Sequence, residues 1–352
     1  MPQVPSPTPL LDLVPDALAA RLQADLGEPA YRATQILHEV LQRGARGYHA
    51  ITALPLSLRE RLARELPIRL PEVVETRESA DLSRKYLLAL EDGKQIESVY
   101  LVDRERTTFC ISSQVGCAFG CSFCLTAKMG LVRNLAPSEI VGQVLRLADA
   151  GNHGRERFNL VLMGMGEPLH NFDAVAAALE LLLSPQGMDL SYRRVTLSTV
   201  GHVEGIRRLA ALPFRPRLAV SLNAADDPTR VSLMPVGRAH PIDELLRTLA
   251  AYPLRPNERI TFEYVLLAGV NDALEQADRL ASRLRPLSCK VNVIPFNEDP
   301  ELSFRRPTEK VARRFAERLV VRGLAATVRW SRGTDIRAAC GQLMTDAARG
   351  TP

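Results

Sequence analysis

From Arg106 onward the apolar residues change period again and again, and this alternation limits the folds open to the chain. Six short β-branched runs, RTTFCIS, NLVLM, RRVTLS, RLAVSL, RITFEYVLL and KVNVIPFN, are each followed by a stretch of helical period. Those stretches are SEIVGQVLRLADA, NFDAVAAALELLL, HVEGIRRLAAL, IDELLRTLAAY, ALEQADRLASRLR and EKVARRFAERLVV. Runs this apolar suit parallel strands covered on both faces. Successive strand–helix units then leave a βα barrel, full or partial, or an open doubly wound sheet. The polar elements choose between them. Cysteines follow TFCIS, GMGEP follows NLVLM, STVG follows VTL, SLNA follows LAV and FN follows VIP. In a barrel, side chains from many strands converge at the C-terminal ends, whereas a doubly wound sheet gathers them at one switch point. Five consecutive strands contributing favours a barrel, and the expected fold is α/β with a partial (β/α)6 barrel over residues 106–343.

Two further parts precede it. Residues 1–70 read as a small helical accessory domain, since LLDLVPDALAARLQADL, AYRATQILHEVLQRG and SLRERLAREL space their apolar residues helically between Pro and Gly breaks. Residues 71–105 read as connecting β-strands, EVVETRES, RKYLLALE and QIESVYLV, the last two joined by a turn at Glu91-Asp92-Gly93. Residues 344–352 are left as a tail. A hydrophobic fraction of 46% with 24% charged residues suits a soluble globular chain. No apolar run approaches the ~18 residues of a membrane span, and the Pro-rich start lacks the basic region of a secretory signal. A cytoplasmic location without membrane partners is expected. Residues 301–352 carry eleven Arg or Lys against five Asp or Glu, among them Arg305, Arg306, Lys310, Arg313, Arg314, Arg318, Arg322, Arg329 and Arg332. Such a concentration suits RNA phosphates and equally a solvated helix face.

Four of the six cysteines crowd into fifteen residues, CISSQVGCAFGCSFC. Bunched cysteines in such a chain point to metal or catalysis rather than to structural disulfides. Cys117, Cys121 and Cys124 have the spacing C-x3-C-x2-C. A four-iron cluster takes four protein thiolates when closed, so three leave one iron open to a ligand, as catalytic metal sites do. Zinc, with Cys110 or His170 as fourth ligand, also fits the spacing. A redox pair at Cys121 and Cys124 fits less well, because the next helical signature begins only at Ser138. Cys289, inside LSCKVNVIP, reads as a small buried hydrophobe.

C-x3-C-x2-C after the first strand of a βα barrel resembles the radical S-adenosylmethionine superfamily, in which the open iron chelates the cofactor's amino and carboxylate groups. The longer motifs CSFCLTAKMGLVRNLAPSEI, MGMGEPL, LSTVG and AACGQL, in matching order between about Tyr31 and Leu343, resemble the RlmN/Cfr family of RNA adenine methyltransferases. The resemblance implies a [4Fe-4S] cluster on Cys117, Cys121 and Cys124, and S-adenosyl-L-methionine used twice per turnover. It implies cofactor contacts from Gly166 and Glu167, Ser198, Ser221, Leu222, Asn223 and Asn297. Glycine permits close backbone approach and a carboxylate suits an ammonium. The family's tripeptide at 221–223 usually reads Ser-Leu-His. Asn223 departs from it, which puts a side-chain contact there in doubt and leaves a backbone one.

The same resemblance assigns the reaction. Carbon 2 of adenine lies between two ring nitrogens and is too electron-poor to attack a sulfonium, so a radical route is needed. One cofactor would methylate Cys340; a radical from the second would activate that methyl group, which adds to the ring. Cys110 would then displace the joined sulfur, forming a disulfide with Cys340, and Glu97 would accept the ring proton. Bridging requires the two Cα atoms within roughly 7 Å. The implied substrates are an adenosine of the 23S rRNA peptidyl-transferase centre and some tRNAs, held by the helical domain and the basic C-terminal segment. The implied redox partner is an electron donor such as flavodoxin. The motifs are shared by relatives that methylate carbon 8, so that regiochemistry stays open, as does a non-catalytic metal-bearing RNA-binding protein.

Overall fold

The computed structural model describes residues 7–103, 106–151 and 158–345; of the expected tail, 346–352 lies outside the described residues, as does 1–6 of the Pro-rich start. The chain opens with helices α1 (Pro15–Leu26), α2 (Tyr31–Leu37) and α3 (Leu56–Glu65). Pro15 stands at the start of α1, where its missing N–H is no loss, and Gly27 ends the helix with φ +67°. Leu18, Leu22, Ile36, Leu37 and Leu62 are fully buried, in a core that runs without a break into the barrel. Arg46 ties this part to the barrel through both guanidinium arms on Asp149, at 2.8 and 2.6 Å.

Three antiparallel strands follow, β1 (Glu72–Glu78), β2 (Arg84–Ala89) and β3 (Gln95–Asp103), and β3 pairs antiparallel with β4 (Arg106–Cys110). A separate hairpin, β5 (Gln114–Gly116) with β6 (Leu131–Asn134), brackets the cysteine loop and the one-turn helix α4 (Leu125–Lys128). Then come α5 (Pro137–Gly151), β7 (Phe158–Leu162), α6 (Phe172–Leu183), β8 (Val195–Thr199), α7 (Val203–Ala210) and β9 (Arg217–Ser221). The chain continues with α8 (Asp227–Leu233), α9 (Ile242–Ala250), β10 (Ile260–Leu266), α10 (Leu274–Leu284), β11 (Cys289–Pro295), α11 (Glu309–Val321) and β12 (Ala325–Val328). The sheet order is β1-β2-β3-β4-β7-β8-β9-β10-β11-β12, parallel from β4 on.

The parallel run curls into an incomplete barrel. Thr108 and Cys110 of β4 face Ile294 of β11 and Arg329 beyond β12 across a single cavity. The last described segment ties the β12 end to the antiparallel strands. Arg332 reaches Asp103 (2.5 Å), the Gly333 N–H donates to Asp81 Oδ2 (2.9 Å), and Ser79 Oγ donates to Asp335 Oδ1 (2.6 Å).

The alternation of six units is present, with additions. β12 is a seventh parallel strand, and α8 stands between β9 and α9. The reading that the next helix after the cysteine pair begins only at Ser138 needs correcting, because α4 starts immediately after Cys124. One turn carries no visible period. This one is held by distant bonds, Leu125 N–H to Gly341 O (2.8 Å) and Thr126 Oγ1 to Leu343 O (2.6 Å). Among the described residues no helix is long and apolar enough to cross a membrane.

Candidate active site

A cavity at the C-terminal ends of the parallel strands gathers most of the expected site. Its empty space is about 1070 Å³, open mouth included. The cysteine loop supplies Cys117, Cys121 and Cys124, the loop after β7 supplies Gly166 and Glu167, and β8 and β9 supply Ser198 and Ser221. Asn223, Asn297 and Cys340 complete this set. Leu222 does not join them: its side chain is fully buried in the core, and its N–H donates to Glu263 O (3.1 Å).

Local geometry explains several of these positions. Gly166 has φ +99°, and a Cβ there would stand 2.5 Å from Gln114 Cβ. Without one, the loop folds onto β5 and the Glu167 N–H donates to Gln114 Oε1 (2.8 Å). The Glu167 carboxylate is then held by the N–H groups of Val200 (2.8 Å) and Leu169 (3.1 Å). Burial pushes its pKa up to about 7 against those bonds. Asn223 adopts the left-handed conformation, φ +57°, that asparagine tolerates. Its Oδ1 accepts from Val265 N–H (2.8 Å) and its Nδ2 donates to Met234 Sδ (3.1 Å), so the side chain laces β9 to β10.

Two buried acceptors in the cavity are orphaned. Asn297 donates through Nδ2 to Cys340 O (3.2 Å), but its Oδ1 has no partner. Glu263 of β10 accepts from Asn292 at Oε1 (3.0 Å), while Oε2 has none. Burial holds the Glu263 pKa up. Buried acceptors left unpaired are costly, so the pair calls for a ligand rich in donors. Glu263 escaped the sequence reading, although an acid inside the apolar run TFEYVLL was an available signal.

The thiols fit a cluster better than a single ion. Burial pushes Cys117 up to about 11 and raises Cys121 and Cys124 as well. Among the described residues no three His, Cys, Asp or Glu side chains converge tightly enough for one metal ion. A cubane binds each thiolate through a different iron and needs no such convergence. Neither fourth ligand considered for zinc joins the thiols: Cys110 lines a second cavity apart from them, and exposed His170 packs edge-on against Phe119 of the cysteine loop while its Nδ1 meets Gln114 Nε2 (3.1 Å).

That second cavity contains Cys110, Met163, Arg329, Trp330 and Cys340. Cys340 lines both cavities. Burial, reinforced by the neighbouring Cys340 and opposed by Arg329, pushes Cys110 up to about 12. The Cys340 thiol is raised by surrounding protein, with Arg329 opposing, yet solvent reaches it through the cavities. Glu97 lines neither. Lys85 Nζ stands 2.9 Å from its Oε1, and the Met344 N–H donates to its Oε2 (2.9 Å). Cys289 is buried at the start of β11, as expected.

Residues 111–281 match the radical SAM superfamily. The chain is 47% identical over 98% of its length to the dual-specificity RNA methyltransferase RlmN of Anaeromyxobacter dehalogenans, covering 94% of that protein. Against the protein of the same name from Rhodospirillum rubrum it is 44% identical, over 99% of this chain and 83% of that one. A crystal structure of a radical SAM methyltransferase from Sphaerobacter thermophilus superposes with a TM-score of 0.90 at 46% identity, covering 96% of this chain and 99% of that one. With thiols, buried carboxylate and strand-end cavity placed as they are, the chain belongs to the RlmN family of radical SAM dual-specificity RNA methyltransferases.

Proposed function

We propose that the chain, a radical SAM RNA methyltransferase by family, methylates carbon 2 of an adenosine in 23S rRNA and in some tRNAs. The observation that carries this is the position of Cys340, in the wall of the thiol cavity on one side and of the Cys110 cavity on the other. A residue so placed can take a methyl group from one chamber and present it to a base in the next. Cys117, Cys121 and Cys124 would hold the [4Fe-4S] cluster. Gly166, Glu167, Ser198, Ser221, Asn223 and Asn297 would hold S-adenosylmethionine, with Leu222 contributing backbone alone. When bound, that pair of groups supplies one-electron chemistry that side chains lack.

The rest falls to the protein. Cys340 would carry the methyl group through each of two cofactor uses per turnover. Cys110, buried, would give up its proton and attack the Cys340 sulfur, forming the S–S bond as the sulfur–carbon bond breaks and its electron pair passes to the ring-bound carbon, which takes up a proton to become the methyl group. Glu97 would accept the ring proton once the C-terminal segment moves Met344 off its carboxylate. The second cavity would receive the base beside Trp330. Arg306 and Arg313 lie over the Trp330 ring, at 5.7 and 5.6 Å from its centroid. Arg305, Lys310 and Arg314, next to these two or a turn away in the chain, are exposed, and together these residues would take the RNA backbone. The helical segment 1–70 would serve as a second RNA-holding part, and an electron donor such as flavodoxin would reduce the cluster.

Mass spectrometry of the Cys340 peptide from anaerobically purified chain tests the reading. We expect a stable methyl group on sulfur; an active enzyme with Cys340 always unmodified overturns it. Locating the methyl group on the product adenine then separates carbon 2 from carbon 8.

A further inference from the structure

Helix α8 carries Arg230, the largest fully buried side chain among the described residues. Its Nη1 donates to His240 O (2.6 Å) and its Nη2 to Val200 O (2.8 Å), while its buried Nε has no partner. Two glycines make room for the guanidinium: a Cβ on Gly201 would stand 2.9 Å from Nη2, and one on Gly237 3.4 Å from Nη1. Among the described residues no carboxylate forms an ion pair with it. Asp227 attracts it through space, but its Oδ1 accepts from the Ile242 N–H (2.8 Å). Two carbonyls do not neutralise a cation, and a buried charge without a counter-ion is strongly unfavourable. Asp227 offsets that cost only through space, which leaves the guanidinium able to serve a further anion.

The cysteine loop packs on the end of the same helix. Ser122, between Cys121 and Cys124, donates from its N–H (3.0 Å) and its Oγ (3.2 Å) to the carbonyl of Leu233, the last residue of α8. Phe119 and Cys121 pack on the apolar cluster of Leu233, Met234 and Val236. Arg230 is near enough to Cys121 to act on its sulfur, although burial is what dominates that thiol and raises it.

We propose that Arg230 is a built-in countercharge for the iron–sulfur cluster, a positioning residue that favours the reduced form and so sets the reduction potential. The inference rests on Cys117, Cys121 and Cys124 being the cluster ligands. Three thiolates leave an oxidised four-iron cluster with net negative charge, and reduction adds another electron to it. Potentials respond to such charge, to hydrogen bonding at sulfur and to solvent exposure. Arginine is the residue for this task because it cannot lose its proton in a protein. With no carboxylate in contact with it, and Asp227 acting only through space, part of its charge stays available to the loop.

The test uses the full chain, reconstituted anaerobically without RNA, as wild type, Arg230→Lys and Arg230→Gln. Iron is counted and the midpoint potential is read by an EPR-monitored redox titration. Wild type should take up about four irons. In Arg230→Gln the equilibrium constant for one-electron reduction should fall about tenfold, about 59 mV more negative, or iron should be lost that Arg230→Lys keeps. Arg230→Lys should stay within about threefold of wild type. An Arg230→Gln variant with full iron and an unchanged midpoint overturns the proposal. So does equal loss of iron from both variants, which makes Arg230 a structural prop. Wild type without a four-iron cluster removes the assignment of the thiols, and the inference falls with it.

Discussion

At Glu167 burial outweighs hydrogen bonding, and the balance has a sign that can be checked. A carboxyl with folded pKa about 7 keeps a proton that the unfolded chain, near its ordinary 4.5, has lost. The folded state therefore binds more protons between those values, so stability from this group is full below about 4.5 and declines as pH rises through about 7. Cofactor-free chain should lose roughly 3 kcal/mol across that window, read by urea denaturation at pH 5 and pH 7.5. Glu167→Gln should flatten the profile, and an identical slope in that variant would show that another group titrates. The two cavity cysteines differ in what their removal should leave behind. Cys340→Ala should form no covalent RNA adduct, whereas Cys110→Ala should accumulate one, seen as a shifted band on a denaturing gel. Normal turnover by Cys110→Ala would sink its resolving role.

Between elements, the C-terminal segment and the antiparallel strands brace each other through one buried pair. Lys85 of β2 and Glu97 of β3 are 3% and 6% exposed, and Lys85 also donates to Arg337 O (3.3 Å). Lys85→Met strands a buried carboxylate and should cost about 3–5 kcal/mol in urea denaturation. Adding Glu97→Gln should recover part of that loss; a double variant as unstable as the single one would mean the charges do not compensate each other. This pair also marks where the sequence stops being legible. Strands such as RLAVSL and helices such as ALEQADRLASRLR reveal themselves because their period is local, and the strand-end motifs GMGEP and LST are readable for the same reason. The closing segment, α4 and α8 are not, because they depend on partners far along the chain. Leu125 is capped by Gly341, and the end of α8 at Leu233 is held by Ser122, more than a hundred residues earlier. Cys340 was legible as a residue, but its place between two cavities was not.

For the whole molecule, the basic C-terminal segment resolves into two populations, and net charge alone could not divide them. Arg318 and Arg322 both bind Asp278, with Nε at 2.7 Å in each case, and hold its carboxyl well below the usual range. Lys310 and Arg314, one helical turn apart on α11, are exposed and have no ion pair among the described residues. They share α11 with Arg313, whose guanidinium lies over Trp330 in the wall of the cavity that contains both Cys110 and Cys340. Phosphates bound there would release counterions in proportion to the free cations, whereas cations already neutralised by Asp278 have little left to offer. Lys310→Ala and Arg314→Ala should each lower the slope of log affinity against log salt by about one, measured by RNA binding at several salt concentrations. Arg318→Ala should leave that slope nearly unchanged and act instead on the packing of α11 against α10, visible in thermal unfolding. Were Arg318→Ala to flatten the slope as much as Lys310→Ala, the RNA would have to approach from the α10 side, away from the cavity that holds the two cysteines.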